Sequence, residues 1–217
     1  MMNPHSRWSV AAVLAATAGA ACAGSPAARP GDVVPTGGSQ QTAVSPASRA
    51  NPADAEFMSG MIHHHAQAIV MAGWSATHGA SERIRTLSQR ILVSQTDEIK
   101  LMQQWLREHG EPAPEPSPTG RKMMMDGVEH AMLMPGMLSE EQMSQLDGAR
   151  GDEFDRLFLT FMIQHHEGAL TMVDALFGSR GGAADDFIYK VASDTFADQG
   201  SEIDRMQKML DAMGTGR

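Results

Sequence analysis

Apolar and small side chains return every three or four positions through Phe57, Met61, Ala68, Met71 and Ala72, the spacing of one face of an amphipathic helix. A second run of the same period passes through Ile99, Met102 and Leu106. Both runs then recur. Residues 54–65 return as residues 155–166, offset by 101, and the match continues through Ala68 with Ala169 and Met71 with Met172. Gln95, Glu98, Ile99, Met102 and Leu106 return as Gln199, Glu202, Ile203, Met206 and Leu210, offset by 104. Each half therefore predicts two helical segments of about 25–30 residues.

The residues between the runs read as helix punctuation. Asn51 followed by Pro52 is an N-cap with proline at the first helical position. Gly73 and Gly79 close the first helix, Gly110 with Pro112, Pro114, Pro116 and Pro118 the second, and Gly178, Gly181 and Gly182 the third. Residues 123–143 predict a shorter helical excursion, restarted at the capping box Ser139-x-x-Gln142. No run alternates with period two, so no strand is predicted. The expected fold is all-α: a four-helix bundle of two repeated helical hairpins joined by a Met-rich helical connection. The folded part spans residues 52–213, with halves at about 52–110 and 152–213 and the connection at 111–151. An up-down-up-down order would set helices one and three parallel, with their motifs at one height.

Composition narrows the function. The net charge is −9, from 17 basic and 26 acidic residues, which argues against a nucleic-acid surface. No apolar run reaches the roughly 18 residues of a membrane-spanning helix. Residues 1–22 instead read as an export signal, with Arg7 ahead of a short apolar run. The single cysteine, Cys22, follows Gly19-Ala20-Ala21, where a lipoprotein signal places its lipidated residue; ordinary cleavage after Ala20 is the competing reading. Residues 23–51 are Pro, Ala, Gly and Ser-rich with few large apolar groups, the composition of a disordered tether. The chain is then expected to be extracytoplasmic, either a lipoprotein that meets the membrane only through its lipid anchor or a secreted or periplasmic protein.

Methionine is the outlier, with 18 copies beside nine histidines. With His64 at about 0° on a helical wheel, Met71 falls at about 340°, Phe57 at about 20°, Met61 at about 60° and His65 at about 100°. His63 falls at about 260°, away from that stripe, and its repeat position holds Gln164. The recurring pairs, His64 with His65 and His165 with His166, thus border an apolar stripe facing the interior. Such imidazoles are neutral, hydrogen-bonded or coordinated. Met61 and Met162 stand one turn ahead of the pairs, and thioethers favour Cu(I). Met71 and Met172 lie two turns from the first histidine of each pair and need a second site or a ligand from another helix. The connection adds a candidate second soft-metal surface of Met123, Met124, Met125, His130, Met132, Met134 and Met137. Core packing is the competing role for methionines at helical spacing. Asp54 and Asp155 suit the positive helix N-terminus, and His78 and His109 read as helix-end residues.

The pattern Asp-x-x-Phe-x-x-x-Met-x-x-His-His at residues 54–65 and 155–166, with Met134-Pro135-Gly136-Met137, resembles the bacterial domain of unknown function 305 family. The resemblance covers about residues 52–213 and implies a ferritin-like fold, export, and copper or silver handling. It points to Met61, His64, His65, Met71, Met162, His165, His166 and Met172 as metal-site residues. His63 is an insertion relative to that pattern. The expected function is sequestration or hand-on of copper, with Cu(I) favoured and Cu(II) or silver as further candidates. A copper-transport or efflux protein is the candidate partner. Two alternatives stand beside it: a di-iron or other redox enzyme, and a bundle that binds a partner protein without metal. No Glu-x-x-His precedes either histidine pair, no catalytic constellation stands out, and an enzyme is not predicted.

Overall fold

The computed structural model describes residues 50–215; the export signal, Cys22 and the tether to residue 49 lie outside them. The described chain is mostly helical: α1 (Pro52–Gly73), α2 (Glu82–Glu108), α3 (Glu140–Gly148), α4 (Asp152–Gly178) and α5 (Asp186–Thr215), with a small sheet of β1 (Arg121–Met125) and β2 (Val128–Met132). Asn51 caps α1, its side chain accepting from the Ala53 N–H at 2.8 Å, and Pro52 opens the helix. Ser139 and Gln142 form the reciprocal capping box of α3.

Two expectations are corrected. Residues 121–132 are a β-hairpin and not helix, and the helical restart is confined to α3. The reason is Asp126-Gly127: both residues have positive φ, 54° and 81°, which makes the two-residue turn whose twist matches paired strands. The second correction concerns direction. The start of α1 meets the chain that follows α4, with Ala183 N–H donating to Asp54 Oδ1 at 2.7 Å. The chain that follows α1 meets the start of α4, with Gly151 N–H donating to the His78 carbonyl at 2.9 Å. Helices α1 and α4 therefore run antiparallel and pack against each other, with the histidine motifs crossing near their middles.

The same contacts recur with the halves exchanged. Asp54 holds the loop after α4, and Asp155 accepts from the Ser81 N–H, the cap of α2, at 3.1 and 3.2 Å. Their recurrence in the sequence thus serves the opposite hairpin's loop. We expect Asp54→Ala and Asp155→Ala each to cost about 1–3 kcal/mol, since each strands a backbone donor. Urea unfolding measures this; unchanged midpoints would show that the carboxylates do not hold the loops.

The apolar core comes in two blocks. One gathers Met71, Ile84, Leu87, Ile91, Phe154, Phe158, Met162 and Met206. The other gathers Phe57, Met58, Met61, Ile62, Ile99, Met102, Leu106, Val173 and Ile188. Burying each such side chain contributes about 1.5–3 kcal/mol. Between its two apolar stretches each long helix turns polar side chains inward: His64 and His65, Gln95, His165 and His166, and Gln199 are all buried.

Candidate metal centre

That interruption is a polar layer across the middle of the core. Helix α1 supplies His64 and His65, α2 Gln95 and Glu98, α4 His165 and His166, and α5 Gln199 and Glu202. All four imidazoles are fully buried, at 0% exposure. The His64 and His165 rings lie 3.8 Å apart between centroids, where α1 and α4 cross. His65 Nε2 lies 2.6 Å from Glu98 Oε2, and His166 Nε2 lies 2.7 Å from Glu202 Oε2. His64 Nε2–H donates to the Pro135 carbonyl at 3.0 Å. A neutral imidazole in any of these three poses carries its proton on Nε2 and leaves a lone pair on Nδ1.

Those lone pairs have no partner. Nδ1 of His64, His65 and His166 and both ring nitrogens of His165 are buried without a hydrogen bond, as are Gln95 Oε1 and the Gln199 amide atoms. Leaving such atoms unsatisfied costs about 1–3 kcal/mol each. An imidazole whose N–H is tied to a carboxylate or carbonyl while its other nitrogen faces empty-handed is the arrangement of a metal-ligating histidine. Among the described residues no three His, Cys, Asp or Glu side chains converge on one point.

The methionines are distributed by the antiparallel crossing. Met71, seven residues from His64, shares a core block with Met162 of α4, both fully buried. Met61 lies in the other block, with half-buried Met172 packed against it. A Cβ on Gly60 would lie 3.2 Å from both Met134 Sδ and Met172 Cε, so these two thioether side chains meet over α1. The turn at residues 134–137 thus sits on the histidine layer, with Pro135 on His64 and Met134 beside Met172. The candidate soft-metal surface of the connection is split accordingly. Met134 and Met137 are buried in the turn, whereas Met124, Met125 and Met132 are exposed on the hairpin with His130, and Met123 is half-buried there.

His63 does point away from the layer, yet it is buried, because residues 111–120 cover that face of α1 and Ser117 N–H donates to its Nδ1 at 3.3 Å. Burial, and then the Arg121 charge, push this imidazole below its ordinary value. His78 bonds Asp147 and His109 bonds the Trp105 carbonyl, both at helix ends. Glu98, Glu202, Pro135 and Gly60 were not singled out as site residues by the sequence reading. The offset of 104 that repeats Gln95 and Glu98 as Gln199 and Glu202 was the available signal.

His64 and His165 are held well below the ordinary imidazole value, first by burial and then by the surrounding imidazoles. Below about pH 6.5 the unfolded chain takes up protons at these rings while the folded protein does not. Stability of the metal-free protein is then level above that pH and falls beneath it, by up to about 1.4 kcal/mol per pH unit for each ring. Urea unfolding across about pH 5 to 7.5 measures the slope; no fall on acidification would mean that the rings are protonated in the folded state.

Among the described residues no helix is long and apolar enough to cross a membrane. An uncharacterized protein of Acanthamoeba polyphaga mimivirus is 38% identical over 55 residues, which span 25% of this chain and 36% of that protein. Solved structures match more fully. A DUF305 fragment from Deinococcus radiodurans is 27% identical with a TM-score of 0.62, covering 76% of this chain and 99% of that one. A DUF305 protein from Streptomyces coelicolor, whose name provisionally calls it secreted, is 26% identical with a TM-score of 0.61, covering 75% and 92%. CopM in its Cu(II)-bound form is 26% identical with a TM-score of 0.56, covering 73% and 96%; its Cu(I)-bound form is 25% identical at 0.55. Residues 54–210 match the family described as a domain of unknown function, DUF305, and the chain belongs to that family.

Proposed function

We propose that the protein binds copper as Cu(I), with Cu(II) and silver as further ions, and sequesters it or hands it on outside the cytoplasm. The ligands in this reading come from His64, His65, His165 and His166, with Met61, Met71, Met162 and Met172 as the flanking thioethers. The observation that supports it best is the set of buried imidazole nitrogens without partners, on rings whose other nitrogen is already oriented by Glu98, Glu202 or Pro135. Thioethers and neutral imidazoles suit a soft ion, and thioethers need lose no proton to bind it. CopM, structurally similar and 25–26% identical, has been crystallised with Cu(II), Cu(I) and silver. The antiparallel hairpins with a long connection between α2 and α4 support a ferritin-like bundle. An export signal, a lipid on Cys22 and the tether would hold this domain near a membrane, where a copper-transport or efflux protein is the expected acceptor.

The test is an anaerobic Cu(I) titration of the full chain against a coloured chelator. The protein should compete, and Glu98→Gln with Glu202→Gln should weaken binding about 10–100-fold, because the carboxylates orient the rings without contacting the ion. A protein that never competes overturns the copper reading. Competition unaffected by the double variant would move the site away from the histidine layer.

A further inference from the structure

The hairpin carries soft donors that the buried layer does not use. Its register sets Arg121 opposite Met132, Met123 opposite His130 and Met125 opposite Val128. Side chains alternate across a strand, and directly paired residues share a face. One face therefore collects Met123, Met125, His130 and Met132, while the other carries Lys122, Met124, Glu129 and Ala131. Opposite residues on such a face stand about 4.5–5.5 Å apart, and diagonal partners remain within reach of long side chains. Met123 and His130, directly opposite, can then share one ion with Met132 or with Met125, the diagonal neighbours at either end of the face.

Core packing does not account for these methionines. Met125 is 54% exposed and Met132 is 46% exposed, and Met123 is only half-buried. An isolated two-stranded hairpin is marginal on its own, and this one is pinned at its base. Arg121 makes a two-pronged pair with Glu56 of α1 at 2.9 and 3.0 Å. That pair neutralises the guanidinium on the donor face. On the opposite face Lys122 is paired with Glu129 at 2.8 Å.

We propose that Met123 and His130, completed by Met132 or by Met125 in exchange, form a second, surface site for one soft monovalent cation, Cu(I) or Ag(I). Its ligands are open to solvent, so it exchanges its ion readily, in contrast to the buried layer. It rests on the soft-metal reading of the protein, but its own ligands are separate from the histidine layer. Thioethers carry no proton, so only His130 must be neutral for the full set to bind.

The test uses full-length protein with methionine methyl groups labelled with carbon-13, titrated with silver ion alone, beside a His165→Leu variant. The methyl signals of Met123, Met125 and Met132 should shift together, in the variant as in the parent. Met124, equally soft and 68% exposed but on the other face, should not follow them. Replacing Met123, Met125 and Met132 with Leu should remove one equivalent of bound silver. Silent hairpin methyls overturn the proposal, whether or not the buried methionines respond. A shift of Met124 matching the other three also overturns it, because indiscriminate thioether binding would explain the result. Hairpin shifts with a silent histidine layer would sustain this site while removing the buried one.

Discussion

His165→Leu should make the metal-free protein more stable and leave it unable to hold copper tightly. Both ring nitrogens of His165 are buried without a partner, and the ring is fully enclosed. Leucine fills a similar volume and strands no polar atom, so the variant should gain about 1–3 kcal/mol in urea unfolding. The same change removes a proposed ligand at the point where α1 and α4 cross. Cu(I) affinity should fall by about 100-fold or more, beyond the loss expected for a residue that only orients a ligand. A ring retained for packing alone predicts the reverse: lower stability and unchanged metal competition. Chelator competition and unfolding on one preparation separate the two cases by opposite signs.

The second large effect is expected at Gly168. A Cβ there would lie 2.0 Å from the Pro135 oxygen, 2.4 Å from its carbonyl carbon and 2.5 Å from Gly136 Cα. These are backbone atoms, so no rotamer change relieves the clash. Gly136 in turn has a φ of 77° and no space for a side chain against Gln164 and Gly168. Gly168→Ala must lift the turn at residues 134–137, withdrawing the Pro135 carbonyl from His64 and Met134 from Met172. We expect a loss of about 1–3 kcal/mol. The amide of Leu138, which donates to Gln67 Oε1 at 2.6 Å, should exchange with solvent faster. An unchanged melting temperature with an unchanged Leu138 exchange rate would show that the turn is not packed on α4 as described.

Much of this was legible because apolar spacing reports helix faces directly. The stripe through Phe57, Met61 and Ala68, and its return on α4, identified the helices and the inward side of His64 and His65. Helical spacing carries no information on direction, and a connection of this length can return a chain either way. That is why the antiparallel crossing, which brings the His64 and His165 rings together, was missed. Asp126-Gly127 was a readable hairpin signal obscured by methionines that suit a helix as well as a strand. His63 lies on the outer side, where the wheel places it, but a wheel drawn for one helix cannot see the connection that buries that face. Glu98 and Glu202 repeat in the sequence, but only the fold places their carboxylates on imidazole nitrogens.

The reciprocal clamps of Asp54 and Asp155 have an ancestral reading. Contacts that return with the partners exchanged are those of an isologous dimer. A chain with a single hairpin could close the same arrangement only by pairing with a second copy of itself, and both copies would carry identical residues. Joining the copies in one chain lifts that requirement. Gly60 and Gly168 accept the turn at residues 134–137, while their counterparts, Phe161 and Gln67, do other work: Phe161 packs in a core block and Gln67 holds the Leu138 backbone. Fusion thus allows the two faces of one histidine layer to evolve apart, one of them covered by a turn that a symmetric pair could not place on one side alone.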